Sequence, residues 1–216
     1  MPNQFIYGRR PVTEAERGRR RVHRVWRAPE TAPEELERLC GSPDHQGVVA
    51  EVDPYPYGDA RQVLGSSGLL VVLDQVQDPH NLGAVCRSAE FAGAAAVVIP
   101  ERRAAAVTPA VCKASAGAVE HLQVVHVRNL ADWLREAKEA GFWIWGADAD
   151  AEATPWSADL TGPTVLVMGG EGKGLRPRVA ASCDGLLALP QRGAVDSLNV
   201  SAAATALLFE ALRQRD

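Results

Sequence analysis

The sequence predicts an α/β protein in which a parallel sheet is flanked by helices, preceded by a smaller amino-terminal unit. Three observations predict it. From residue 69 onward, short β-rich runs alternate with helical patterns, as they do in parallel sheets joined by crossover helices. Those runs are bounded by glycine or proline, which punctuate elements. Before residue 69 the alternation weakens and arginine accumulates, so residues 1–65 are expected to form a separate unit with its linker, and 66–216 the main domain.

The elements follow in chain order. The basic amino-terminal stretch is compatible with a helix, Pro33 followed by acids starts another, and Gly47 to Val52 is strand-like. Pro54-Tyr55-Pro56-Tyr57-Gly58 reads as an extended linker. Leu69 to Leu73 is the first buried strand. Asn81 is expected to cap a helix running to Ala92 that Gly93 ends, and Ala95 to Ile99 is the next strand. Thr108-Pro109 starts a helix, because proline at the first helical position forfeits no hydrogen bond. Gln123 to Val127 is strand-like. Leu130, Trp133, Leu134, Ala137 and Ala140 recur at helical spacing behind Asn129. Phe142 to Trp145, Thr164 to Met168 and Leu186 to Leu189 are further strands, and Val200 to Leu212 marks one face of a long last helix.

With 216 residues, 46% apolar and 23% charged, the chain can bury one sizeable core. No run of about 18 apolar residues could span a bilayer, and the start lacks an apolar leader, so a cytoplasmic location is expected. Cys40, Cys86, Cys112 and Cys183 form no C-x-x-C pair, which argues against a zinc knuckle or redox motif. The net charge is -4, unevenly spread: residues 1–27 hold eight arginines and two glutamates, a net +6 that leaves -10 for the rest. Arginine suits phosphate through its planar fork, so Arg9, Arg10, Arg19, Arg20 and Arg21 are candidate RNA contacts. A solvated helix face explains them equally well.

Three polar or glycine-rich segments follow predicted strands, where parallel α/β proteins place ligands. In the first, Asp78-Pro79-His80-Asn81 turns from strand to helix and Arg87 lies within that helix. In the second, Gly169-Gly170-Glu171-Gly172-Lys173-Gly174, Lys173 is followed by glycine rather than Ser or Thr. The glycines fit neither the nucleoside-triphosphate nor the dinucleotide pattern. The third comprises Leu189-Pro190-Gln191-Arg192-Gly193 and then Ser197-Leu198-Asn199 before the last helix. Turns and helix caps are the competing explanation for each segment taken alone.

Taken together, DPHNLGAVCRSAEFAGA, VMGGEGKGLR and LPQRGAVDSLNVSAA resemble, in order, the three motifs of the SpoU family within the SPOUT superfamily, and KASAGAVEHLQV resembles the region between the first two. FIYGRRPVTEA and HQGVVAEV resemble the opening and closing pieces of the L30e-like substrate-binding domain of bacterial 23S rRNA guanosine 2′-O-methyltransferases, here shortened between them. The resemblance implies a carboxy-terminal deep trefoil knot, a homodimer, and methylation of a ribose 2′-hydroxyl by S-adenosylmethionine without a metal. It places the cofactor pocket at Gly169, Leu189 and Leu198, with Gly170, Gly172 and Pro190 shaping its walls. It gives the leading catalytic role to Arg87, with Asn81, Glu171, Ser197 and Asn199 arranging loops and ribose. Gln191 stands where methionine is common. Transfer RNA methylation, and a noncatalytic RNA-binding or resistance protein, are the alternatives.

Overall fold

The computed structural model describes residues 3–66, 68–170, 172, 174–194 and 197–216. In the amino-terminal unit, β1 (Gln4–Tyr7), β2 (Val22–Arg27) and β3 (Val48–Val52) form an antiparallel sheet of order β1-β3-β2. Helix α1 (Arg9–Arg17) packs Val12 and Ala15 into the cluster that holds Ile6 and Ala50, which face each other across the β1 and β3 register. Val49, one residue out of phase, points to the other face, and α2 (Pro33–Cys40) packs on β1 and β3 with Leu36 fully buried. The basic stretch is therefore not one helix. Gly18 ends α1, and the β-forming Val22, Val25 and Trp26 continue as a strand.

The main sheet contains β4 (Leu69–Asp74), β5 (Ala96–Pro100), β6 (Gln123–Val127), β7 (Trp143–Ala147), β8 (Thr164–Gly169) and β9 (Gly185–Leu187), in the order β6-β5-β4-β8-β7-β9, with every pair parallel. Helices α3 (Pro79–Phe91), α4 (Pro109–Ala114) and α7 (Val200–Arg215) cover one face, where Val71, Leu73, Val85, Val111 and Leu208 share a core. On the other face, α5 (Leu130–Glu139) and α6 (Pro177–Ala180) bury Trp133, Leu134 and Val179 against Leu70 and Val72. Alternate residues of one strand thus serve two cores, which is why LLVVLD is apolar almost throughout.

One helix start differs from expectation. Asp78, not Asn81, caps α3: its carboxylate accepts from the His80 N-H at 2.8 Å, with Pro79 at the first helical position. Asp before Pro is the stronger start, because it satisfies a free N-H where proline lacks one. Asn81 is thereby moved into the first turn of α3.

The stretch around residues 54–58 is extended but docked. Tyr55 is buried, its hydroxyl on the carbonyls of Val119 and Leu122 at 3.0 Å each. Tyr57 stacks on His126 with centroids 3.8 Å apart, and Gly58 pairs with Val125 along the edge of β6.

One of the expected RNA contacts is corrected here. Arg20 Nε donates to Glu120 Oε2 at 2.9 Å and its Nη2 pairs with Glu120 Oε1, both side chains being at most 1% exposed. Burial is the largest single influence and works against that guanidinium charge, but the Glu120 hydrogen bond and charge together with Cys112 outweigh it and raise the Arg20 pKa. Arg20 is therefore withdrawn from the surface. Arg19 stays exposed, although its Nη2 donates to the Leu122 carbonyl at 2.6 Å and the Tyr55 hydroxyl at 3.3 Å. Arg9, Arg10 and Arg21 are exposed, with Arg9 Nε on the Gln46 carbonyl at 3.3 Å.

Candidate active site

The strand ends bring two of the three segments together directly. In the β4 and β8 register Asp74 stands opposite Gly169, so the exits toward Asn81 and toward the glycine loop are neighbours. The loop then folds back on itself: Gly170 pairs with Gly174, whose N-H donates to the Gly170 carbonyl at 3.2 Å. A Cβ at Gly169 would overlap the carbonyl carbon of Gly174, and one at Gly170 would lie 3.0 Å from the Gln75 carbonyl oxygen. Glycine is required at Gly169, where backbone meets backbone, and a Cβ at Gly170 would be tight. Gly172 is exposed with φ 68.

The far end of this loop is fastened by residues that the sequence reading missed. The fully buried Asp74 accepts from the Arg176 N-H at 2.9 Å and from Arg176 Nε at 2.7 Å. A carboxylate ending an otherwise apolar strand was the available signal, since a buried charge needs a partner.

The third segment closes on the first through a side-chain pair. Asn199 caps α7, its carbonyl oxygen accepting from the Ser201 N-H at 2.8 Å, while its Nδ2 donates to Asn81 Oδ1 at 3.0 Å. Asn81 is only 6% exposed. Ser88 and Thr205 bond about two turns along the same helix pair, at 2.7 Å between hydroxyls, so α3 and α7 are held in register. Leu189 is half-buried, Pro190 and Ser197 are exposed, and Leu198 is 63% exposed. Glu171 lies outside the described residues.

Arg87 is placed differently from Asn81. It is exposed and makes no hydrogen bond or ion pair among the described residues. It lies four residues before Phe91, hence on the same helical stripe, and Phe91, 72% exposed, stacks on Phe209 of α7 at 5.8 Å. Trp156 (63% exposed) and Phe209 line a groove of about 310 Å³ that Leu189 also borders. Among the described residues no group of three His, Cys, Asp or Glu side chains could hold a metal ion.

This geometry can be set against known proteins. The family model described as the SpoU rRNA Methylase family matches residues 68–209. The chain belongs to the SpoU rRNA methylase family. A second model, described as RNA 2′-O ribose methyltransferase substrate binding, matches residues 30–58. Among relatives of this SpoU chain, the 23S rRNA (guanosine-2′-O-)-methyltransferase RlmB of Pseudomonas syringae pv. tomato is 49% identical over 177 residues, covering 79% of the chain and 71% of the relative. A putative TrmH family tRNA/rRNA methyltransferase of Bacillus subtilis is 36% identical over 241 residues, covering 99% and 97%. That alignment is longer than the 216-residue chain, so the relative carries residues that this one lacks. The crystal structure of the SpoU methyltransferase AviRb of Streptomyces viridochromogenes, in complex with AdoMet, superposes with a TM-score of 0.84 at 27% identity, covering 99% of this chain and 90% of that one.

Proposed function

We propose that the protein methylates the ribose 2′-hydroxyl of a guanosine in 23S ribosomal RNA, acting as a homodimer in the cytoplasm. It is an RNA 2′-O-methyltransferase of the SpoU family that uses S-adenosylmethionine. The observation that carries the reading is the meeting of three distant segments: Asp74 beside Gly169, and Asn199 bonded to Asn81 across 118 positions of sequence.

The residues suit the cofactor. Gly169 and Gly170 leave bare backbone where side chains would fill the space, while Leu189 and the exposed Leu198 offer apolar surface to an adenosyl group. Gly172 and Pro190 belong to the same loops. When bound, S-adenosylmethionine supplies an electrophilic methyl group on a positively charged sulfur. The chain's own task is then positioning: Asn81, Ser197 and Asn199 hold ribose and loops in line, and Glu171 is given the same task on its motif alone. A guanidinium does not serve as a general base, so Arg87 acts through its charge. It places a fixed positive charge beside the 2′-oxygen as that oxygen takes the methyl group from sulfur and gives up its proton to a neighbouring RNA phosphate.

The homodimer reading is supported by where Arg87 lies. Its stripe carries Phe91 beside Phe209, an apolar surface that favours being covered. A second copy on that face would carry Arg87 toward a neighbouring set of loops. The carboxy-terminal deep trefoil knot is proposed from the motifs, with the glycine loop as the segment the chain passes. No helix among the described residues is long and apolar enough to cross a membrane, and the location follows from the proposed substrate.

The test is to incubate the protein with labelled S-adenosylmethionine and total RNA and to map the modified nucleotides. One 2′-O-methylguanosine in 23S rRNA is expected. Label found only in transfer RNA would overturn the substrate, and cofactor and RNA binding without transfer would favour the noncatalytic alternative.

A further inference from the structure

Five of the eight amino-terminal arginines have a partner within the protein, whereas Arg10, Arg17 and Arg21 are exposed without one among the described residues. Besides Arg19 and Arg20 at the junction, Arg27 pairs with Glu16 at 3.1 Å and Arg24 lies over the Trp26 ring at 4.9 Å. The chain beyond residue 27 carries a net -10, so its bulk charge repels the polyanion that has to lie across the carboxyl edge of the main sheet. A local cation cluster is needed there.

Such a cluster exists at the end of β5. The loop after Pro100 is fastened at both ends: the Glu101 N-H donates to the Val127 carbonyl at 3.0 Å, and the Ala105 N-H to the Val76 carbonyl at 3.0 Å. Arg102 and Arg103 lie between these anchors, held at the carboxyl edge between the end of β6 and the β4 exit that leads to Asn81. Arg128 directly follows β6. All three are exposed, and none has a side-chain hydrogen bond or ion pair among the described residues. Arg103 has φ 60, a conformation that a non-glycine residue keeps only under constraint from its surroundings. Glu101 is the one acid within this loop.

We infer that Arg102, Arg103 and Arg128 form a phosphate-binding surface that carries the RNA backbone along the β6 and β5 ends toward Asn81. The inference rests on the methyltransferase reading and adds the path of the substrate. Unpaired guanidinium forks on a pinned edge bind phosphate oxygens and give affinity and register without reading sequence. The amino-terminal unit, fixed against α4 and the 118–120 turn, then contributes a second contact rather than the main one.

The test compares the wild type with the Arg102→Gln/Arg103→Gln/Arg128→Gln variant of the full chain, using 23S rRNA as probe across a salt series. The variant is expected to keep the thermal midpoint and S-adenosylmethionine affinity, to raise KM for RNA with little change in kcat, and to bind RNA at least tenfold more weakly. Its slope of log affinity against log salt is expected to be shallower by about 2, since each phosphate contact on a single strand contributes about 0.7. Arg128→Gln alone, outside the strained loop, is expected to show roughly a third of that change. Unchanged affinity and slope in a variant whose wild type methylates RNA overturns this surface alone. A wild type that binds no RNA overturns both the surface and the methyltransferase reading. A larger loss from Arg10→Gln/Arg17→Gln than from the triple variant also overturns it.

Discussion

The junction between the amino-terminal unit and the main domain, and the carboxyl edge of the main sheet, are built on opposite terms. At the junction every charge is answered from within the chain: Arg20 by Glu120, Arg19 by backbone carbonyls, the Tyr55 hydroxyl by Val119 and Leu122. Gly18 and Gly117 allow contacts that a Cβ would block, against Glu120 and Glu14. At the carboxyl edge Arg102, Arg103 and Arg128, and along α3 Arg87, are exposed and without side-chain partners among the described residues. Where orientation has to be fixed the chain satisfies itself; where a ligand has to bind, it leaves its polar groups available.

The contrast predicts a graded set of outcomes. The largest belongs to the junction. Glu120→Ala leaves the Arg20 guanidinium buried and unpaired, and should cost about 3–5 kcal/mol in urea denaturation, whereas Arg20→Met with Glu120→Leu should be close to neutral. A single-variant cost below about 1 kcal/mol, as for an exposed pair, would break the comparison.

At the exposed arginines the effects should fall on chemistry instead. Arg87→Lys is expected to retain stability and calorimetric affinity for S-adenosylmethionine while kcat falls about 100-fold. Near-normal turnover would remove any special role for the planar fork.

Gly169→Ala sits between the two behaviours, because its Cβ would meet the Gly174 backbone rather than a movable side chain. It should destabilise by about 1–3 kcal/mol and weaken cofactor binding together. Loss of stability with cofactor affinity intact would mean that the fold-back does not shape the pocket.

The smallest expected effect is at His126, where burial holds the imidazole pKa below its ordinary value of 6.5, with Glu101 acting in the opposite direction. The folded state therefore favours the neutral ring. Its contribution is complete above the ordinary value and is lost as the pH falls below it, because the unfolded chain then binds the extra proton. Stability should fall between about pH 7 and about pH 5 more steeply in the wild type than in His126→Phe. Equal slopes would show that the Tyr57 and His126 stack does not depend on charge.

Legibility followed the range of the interactions. LLVVL, QVVHV and the Asn129 cap were plain from local pattern, because a buried parallel strand and a capped helix depend on neighbouring residues. The cap of α3 was misplaced by three residues, since Asp78 and Asn81 are both good caps and only the proline between them decides. The fastening of Arg176 by Asp74 joins residues 102 positions apart, and no periodicity reports it.

By itself the sequence determined the α/β alternation and the three ordered motifs, since both are written in local spacing and residue type. Tertiary structure decided which charges became internal and which stayed available. Arg20 and Arg21 are adjacent and chemically identical, yet one is buried on Glu120 and the other is exposed. That difference depends on a carboxylate 100 residues away, and burial is a property of the assembled fold.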